Sequence, residues 1–142
     1  MNIEQLHDLW DVDCALDDNH LDRESVRTPN LHAKYLRHLI QHKMKLAALA
    51  VDYDTLRQKK FRYYRGEMGK AELEELGWTQ WQGIKPLKNE MMEFLEGDVD
   101  LNRVSIKREY ISCMVQAIEA ILGQIKAREI GRASCRERVS SP

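Results

Sequence analysis

Aromatic residues and proline are scarce in this sequence. Aromatics make up 7% of the 142 residues and there are three prolines, whereas charged residues make up 32%. This balance is typical of long solvated helices and argues against β-sandwiches and β-barrels. A chain of this length is long enough for one ordinary domain and too short for two. We therefore predict an all-α protein with one core.

Cysteine pairs and long apolar runs are also missing. Cys14, Cys113 and Cys135 are an odd number without CxxC spacing, which argues against a disulfide scaffold or a cysteine metal site. No apolar run approaches the length that spans a bilayer, and the N-terminus lacks the layout of a signal peptide. We expect reduced thiols, a cytoplasmic location, and no membrane or metal partner.

Charge is distributed unevenly, although the net charge is only −1. The first 25 residues carry eight acids and one arginine, which predicts an acidic surface arm over residues 1–27 with one short helix. Residues 57–65 carry five cations and no acid, and a second acidic region follows over residues 67–100. A local basic site therefore lies between two acidic segments.

Apolar periodicity predicts a long first helix. Thr28 and Pro29 form a good helix start, because threonine can cap free backbone N–H groups and proline is tolerated in the first turn. The helix should run to about Tyr64, where Gly66 and Gly69 interrupt it. Its inward positions follow a 4-3 spacing: Tyr35, Leu39, His42, Leu46, Leu49, Tyr53, Leu56, Lys60 and Tyr63.

The rest of the chain should contain shorter elements and a second long helix. Short helices are expected over residues 2–10 and 87–95, with an ordered loop over residues 76–86. Asp98 or Asp100 can cap the final helix, because aspartate accepts hydrogen bonds from free N–H groups at a helix start.

The final helix carries the most regular heptad pattern of the chain. Two long helices with narrow apolar stripes predict self-association, because a small monomer cannot bury both stripes. The alternative is an antiparallel hairpin that closes on itself. The predicted oligomerisation seam comprises Leu101, Val104, Ile111, Val115, Ile118, Leu122 and Ile125.

The basic segment combines the two ingredients of single-stranded nucleic-acid binding. Cations neutralise phosphates, and aromatic faces stack on any base without reading sequence. The alternative is a solvated basic face with Phe61 and Tyr64 in the core. The candidate DNA-binding residues are Arg57, Lys59, Lys60, Arg62, Tyr63, Tyr64 and Arg65.

Catalytic patterns are weak throughout the sequence. The aspartates of residues 11–18 lie in a polar segment with no apolar pocket to shift their pKa values. Residues 66–70 resemble half of a P-loop, but Ala71 stands where a metal-binding Ser or Thr is needed. We therefore predict a protein that is not an enzyme, with no catalytic residues, cofactor or metal.

From Leu31 to Arg128 the chain has a recognisable order: a long helix that ends in paired tyrosines, a linker and a long C-terminal helix. The most specific motifs are Lys60-Phe61-Arg62-Tyr63-Tyr64-Arg65-Gly66, Lys88-Asn89-Glu90-Met91 and Ile125-Lys126-Ala127-Arg128. In this order and in these motifs the chain resembles the UvsY family of phage recombination mediators.

The resemblance implies a role in DNA recombination, repair and replication, in the cytoplasm of an infected host. It implies a hexameric or heptameric ring that binds single-stranded DNA and contacts a RecA-like recombinase and the phage single-strand-binding protein. It places DNA contacts on a Lys-x-Arg pair before the tyrosines, where this chain has Gln58 and Lys60. Lys59 or Arg57 could replace the missing cation, although one residue turns a helical side chain by about 100°.

These inferences divide the chain into three parts. Residues 28–128 should form the helical DNA-binding and oligomerisation domain, after the acidic arm. Residues 129–142 resemble a translated sequencing adapter, so we expect them to be non-native and the natural protein to be cut at about Arg128. The competing function is a structural coiled-coil or adaptor protein without DNA binding.

Overall fold

The computed structural model describes residues 1–17 and 19–140, with side chains as far as residue 130, and this part of the chain is all-helical without a strand. The all-α prediction is confirmed. None of the helices in these ranges is long and apolar enough to cross a membrane. The helices are α1 (Ile3–Asp13), α2 (Leu21–Tyr64), α3 (Lys70–Leu76), α4 (Met91–Glu96) and α5 (Val99–Ser140).

Helix α2 begins seven residues before the predicted start, so the prediction of a start at Thr28 is wrong. Pro29 lies inside the helix, where it removes one backbone hydrogen bond. The turns of α2 before Pro29 are nevertheless stabilised, because Arg27 donates hydrogen bonds to the carbonyls of Ala15 and Asp13 at 2.9 Å each. These contacts join segments that are distant in sequence, so local helix-start signals could not reveal them.

The segment between the long helices also differs from the prediction. Helix α3 was not predicted. Its seven residues are followed by Gly77, which has φ of 71° and caps the helix. The N–H of Trp78 donates to the carbonyl of Leu73 at 2.9 Å, as in a Schellman motif. Helix α4 begins at Met91 rather than Leu87, because residues 88–90 form a turn.

The chain divides into two compact units. The first unit comprises Met1–Lys45 and Ile111–Pro142, and the second comprises Leu46–Tyr110. Each long helix therefore contributes one part of its length to each unit.

The first unit has an apolar core to which α1 belongs. Leu6 and Ile118 are fully buried, and the Trp10 ring meets Tyr35 edge-on with 5.5 Å between centroids. Asp13 at the end of α1 accepts hydrogen bonds from Lys34 and Tyr35 at 2.7 and 2.9 Å. The N-terminal segment, expected to be a surface arm, thus packs through α1 into a core.

The predicted seam of α5 is largely covered by the chain itself. Its buried members are Leu101, Val115, Ile118 and Ile125, and its half-buried members are Val104, Ile111 and Leu122. Met114 and Ile121 are buried as well, so the apolar face is wider than a strict heptad. Burial within one chain is what the hairpin alternative requires, and contacts of this seam between subunits stay a prediction.

The second unit is built around Tyr64, Met91, Leu95 and Leu101, against which further aromatic side chains pack. A charged pair lies in this core. Lys60 is 6% exposed, and its Nζ atom lies 3.3 Å from a carboxylate oxygen of Asp98.

Asp98 joins the end of α2 to the start of α5. Its carboxylate accepts hydrogen bonds from the Tyr64 hydroxyl at 2.6 Å and from the backbone N–H of Leu101 at 3.0 Å. The second bond is the predicted N-cap of α5. Burial favours a raised pKa for Asp98, but these hydrogen bonds and the Lys60 ammonium outweigh it and hold the pKa below its ordinary value.

We expect Ile118→Ala to lower the free energy of unfolding by about 2–5 kcal/mol, because it opens a cavity in the first unit. Ile106→Ala is the control, since Ile106 is 71% exposed on the same helix. Its cost should stay within about 0.5 kcal/mol. Denaturant unfolding measures both, and equal losses would contradict the assigned core.

We expect acid to weaken the fold partly through Asp98. Because its folded pKa lies below the ordinary value of 3.8, its contribution is complete above that value and is lost as the pH falls through the folded pKa. Denaturant unfolding of Asp98→Asn between about pH 6 and pH 3 should show lower stability at the upper end and a weaker dependence on pH. Asp54→Asn, at an exposed aspartate, is the charge-matched control. Equal pH dependence in parent and Asp98→Asn would contradict this role.

Candidate nucleic-acid interface

The predicted DNA-binding residues lie on the last turns of α2 and, for Arg65, directly after it, in the second unit. Their environments differ. Lys60 and Tyr64 are buried and Lys59 and Tyr63 are half-buried. The three arginines are exposed: Arg57, Arg62 and Arg65. The helix therefore divides the basic segment between the core and the surface.

Lys60 is fully engaged inside the unit. Besides Asp98, its ammonium donates to Asp100 at 2.8 Å. It also lies over the rings of Trp78 and Tyr63, 4.2 and 5.5 Å from their centroids. A buried cation with these partners contributes to packing and charge balance. The structure thus places Lys60 in the core, away from a phosphate-binding surface.

Tyr64 has no open face for a base. It is 8% exposed, and its ring meets Trp81 and Phe94 at centroid distances of 5.0 and 5.7 Å. Burial and the hydrogen bond to Asp98 raise the pKa of Tyr64. The sequence left open whether Tyr64 lies in the core, and the structure places it there.

Tyr63 lies at the margin of the same aromatic group. Its hydroxyl donates to the carbonyl of Thr79 at 2.5 Å, and its ring meets Trp78 edge-on at 5.4 Å. The side chain is half-buried, so part of it reaches the surface. Its main visible role is to attach the following loop to α2.

The exposed arginines are paired with carboxylates from the same unit. Two guanidinium nitrogens of Arg62 donate to the two oxygens of Glu72 on α3, at 2.8 and 2.9 Å. These hydrogen bonds, and then the charge of Glu72, raise the pKa of Arg62. Arg65 pairs with Glu67 at 3.2 Å. Both pairs are solvent-accessible.

Arg57 and Lys59 have no ion pair within the residues that the structure describes. Two residues apart on a helix, they are rotated by about 200° from each other. The five cations of the segment consequently do not form one continuous patch of free charge. Gln58 is exposed between them.

A glycine turn ends the basic helix. Gly66 has φ of 70°, and the N–H groups of Gly66 and Glu67 donate to the carbonyls of Tyr63 and Arg62. This is a second Schellman motif. The turn reverses the chain and brings Glu67 and α3 back beside the arginines.

Sequence reasoning missed the carboxylates that neutralise the basic segment. Glu72 follows Arg62 by ten residues, across a turn and into a helix that was not predicted. The glycines on either side of residues 70–76 were the available local signal for α3. The pairing itself depends on the direction of the chain after Gly66, which residue type alone does not define.

Solved structures share this fold. Two crystal structures of the bacteriophage T4 recombination mediator protein UvsY, in lattice types II and IV, match with TM-scores of 0.81 and 0.82. The matches cover 99% of this chain and 96% and 98% of those chains, at 19% and 18% sequence identity. At these identities the comparison shows the fold.

Sequence comparison identifies the family. No curated protein matches this chain by sequence. The model of the family described as recombination, repair and ssDNA binding protein UvsY matches residues 9–132, which is most of the chain. The resemblance found in the basic helix end and the C-terminal helix is therefore confirmed, and the chain belongs to the UvsY family.

Proposed function

We propose that this protein is a non-catalytic recombination mediator. It binds single-stranded DNA and promotes loading of a RecA-like recombinase onto strands covered by the phage single-strand-binding protein, in the cytoplasm of an infected cell. The observation that supports the proposal most is the set of cations at the end of α2. Within a chain of the UvsY family, this end presents four cations outside the buried core: Arg57, Lys59, Arg62 and Arg65.

The strand contacts these cations in two ways. Arg57 and Lys59 are unpaired in the described part of the chain and bind phosphates directly. Arg62 and Arg65 exchange a carboxylate for a phosphate, because the guanidinium fork suits both anions. The exchange at Arg62 requires little reorientation, since Glu72 already holds the fork in a two-bond geometry.

Self-association completes the proposed mechanism. A hexameric or heptameric ring presents one basic helix end per subunit and binds one strand through many weak contacts. The half-buried seam residues Val104, Ile111 and Leu122 are candidates for contacts between subunits. Within the first unit, Leu36, Ile40 and Met44 form a second exposed apolar row on α2, at 40%, 51% and 69% exposure. The heptad pattern of α5 included the first three residues, whereas the row on α2 lies outside the predicted 4-3 positions.

A structural adaptor is the second candidate function. It is favoured by the pairing of Arg62 and Arg65 with carboxylates of their own unit, which lowers the free positive charge. A mediator should shift labelled single-stranded DNA at low salt and release it at high salt, whereas an adaptor should do neither.

We expect Arg57→Gln with Lys59→Gln to weaken binding of single-stranded DNA. If each residue contacts one phosphate, the slope of log affinity against log salt should flatten by about 1.4 for each subunit that the strand contacts. Lys60 stays unchanged in this variant, because its removal would leave a buried carboxylate without its cation. Fluorescence anisotropy with a labelled oligonucleotide at several salt concentrations measures the slope.

The control for this pair is Lys107→Gln with Lys126→Gln, which makes the same change in net charge at exposed positions of α5. The control should bind as the parent does. If the two double variants have the same affinity and slope, the α2 end is not the DNA-binding surface.

We expect Glu72→Gln to raise the affinity for single-stranded DNA, because Arg62 no longer has a competing carboxylate. The salt slope should become steeper by about 0.7 for each subunit that the strand contacts, the value for one added phosphate contact. Glu74→Gln is the matched control, at an exposed position of the same helix. The gain should disappear when Arg62→Gln is added, and equal gains from Glu72→Gln and Glu74→Gln would argue against the exchange.

A further inference from the structure

Residues 77–89, which form most of the loop between α3 and α4, have a distinctive composition. They include no acid, but they include two lysines, two tryptophans and three side-chain amides. Acids lie on either side of them, at Glu74, Glu75 and Glu90. The sequence indicated an ordered loop over residues 76–86 and no function for it.

Aromatic contacts fix this loop against the basic end of α2, within the second unit. The Trp81 ring meets Tyr64 edge-on at 5.0 Å and Phe94 at 6.1 Å. The Trp81 indole N–H also donates to the carbonyl of Ile84 at 3.3 Å, inside the loop. Together with the bond from Tyr63 to the Thr79 carbonyl, these contacts give the loop a defined position.

Lys85 extends from this loop to the glycine turn that ends α2. A β-carbon placed on Gly66 would lie 3.2 Å from Cε and 3.6 Å from Nζ of Lys85. The ammonium therefore lies beside the turn that follows Arg65. Lys85 and Lys88 are both exposed, and neither forms an ion pair within the described residues.

We propose that residues 77–89 form a second contact surface for single-stranded DNA, in which Lys85 and Lys88 bind phosphates of the strand that crosses the end of α2. The inference rests on the proposed function and extends its site. Unpaired cations on a positioned loop bind phosphates without displacing a carboxylate. Ile84, 86% exposed in the same loop, offers an apolar side chain to the bases.

The two tryptophans have a different role from that of a base-stacking platform. Trp78 and Trp81 are half-buried, and their rings contact side chains of the core. They act as positioning residues that hold the loop against α2. The phosphate contacts come from the lysines, which lie outside this aromatic group.

The test compares Lys85→Gln with Lys88→Gln against the control pair Lys107→Gln with Lys126→Gln in the full chain. Net charge changes equally in both, so only the position of the cations differs. For each subunit that the strand contacts, the loop variant should flatten the salt slope by about 1.4. Between 50 and 200 mM salt, its loss of affinity should then be about sevenfold smaller than that of the parent. Anisotropy with a labelled oligonucleotide gives both values, and thermal melting should show equal folding.

A second measurement uses the unaltered chain. Bound single-stranded DNA should protect Lys85 and Lys88 from acetylation, as measured by peptide mass spectrometry, while Lys107 and Lys126 react as before. A parent that binds DNA, with unprotected loop lysines and a loop variant equal to the control pair, would overturn the loop contact and leave the proposed function standing. An acidic protein segment as the true occupant of the loop would give this same result. A parent that binds no DNA at low salt would remove the proposed function itself.

Discussion

The second unit depends on one buried interaction, the pairing of the Lys60 ammonium with the carboxylates of Asp98 and Asp100. Asp98 also caps α5 and accepts the Tyr64 hydroxyl, so a single carboxylate fixes the end of one long helix against the start of the other. Removing one partner of such a pair leaves a buried charge uncompensated, at a cost of about 3–5 kcal/mol. The aromatic side chains that position the loop after α3 pack around this same point.

This arrangement determines which cations remain for a ligand. Lys60 and Tyr64 belong to the strongest motif of the basic segment, yet both lie in the core. Helical geometry requires such a division, because a helix that packs on one side turns every third or fourth residue inward. A sequence dense in lysine and arginine therefore overstates the charge available on the surface, and the burial of each residue decides its possible role.

The sequence predicted the features that depend on local pattern. Tyr35, Leu39 and His42 are buried as the 4-3 spacing indicated, and α2 ends at the glycine turn. The sequence did not predict features that depend on contacts between segments. Arg27 stabilises the early start of α2 through the carbonyls of Asp13, at the end of α1, and Ala15. Glu72 reaches Arg62 only after the chain has reversed. Seven-residue α3 is also too short for a periodic signal.

Some of these cations are unpaired and others already have a carboxylate partner. In the proposed mechanism, this difference implies an order in which they bind the strand. Lys85 and Lys88 meet a phosphate without losing an existing partner, and their flexible ammonium groups accept it from many directions. Arg62 must first release Glu72, but its guanidinium group then donates two parallel hydrogen bonds to a phosphate, whereas a lysine ammonium acts as a point charge. Lysine contacts should therefore form first and support loose binding, whereas the arginine exchange adds a more specific geometry. In the proposed mechanism, a strand held mainly by the lysines remains easy to release, as the proposed loading of a recombinase requires.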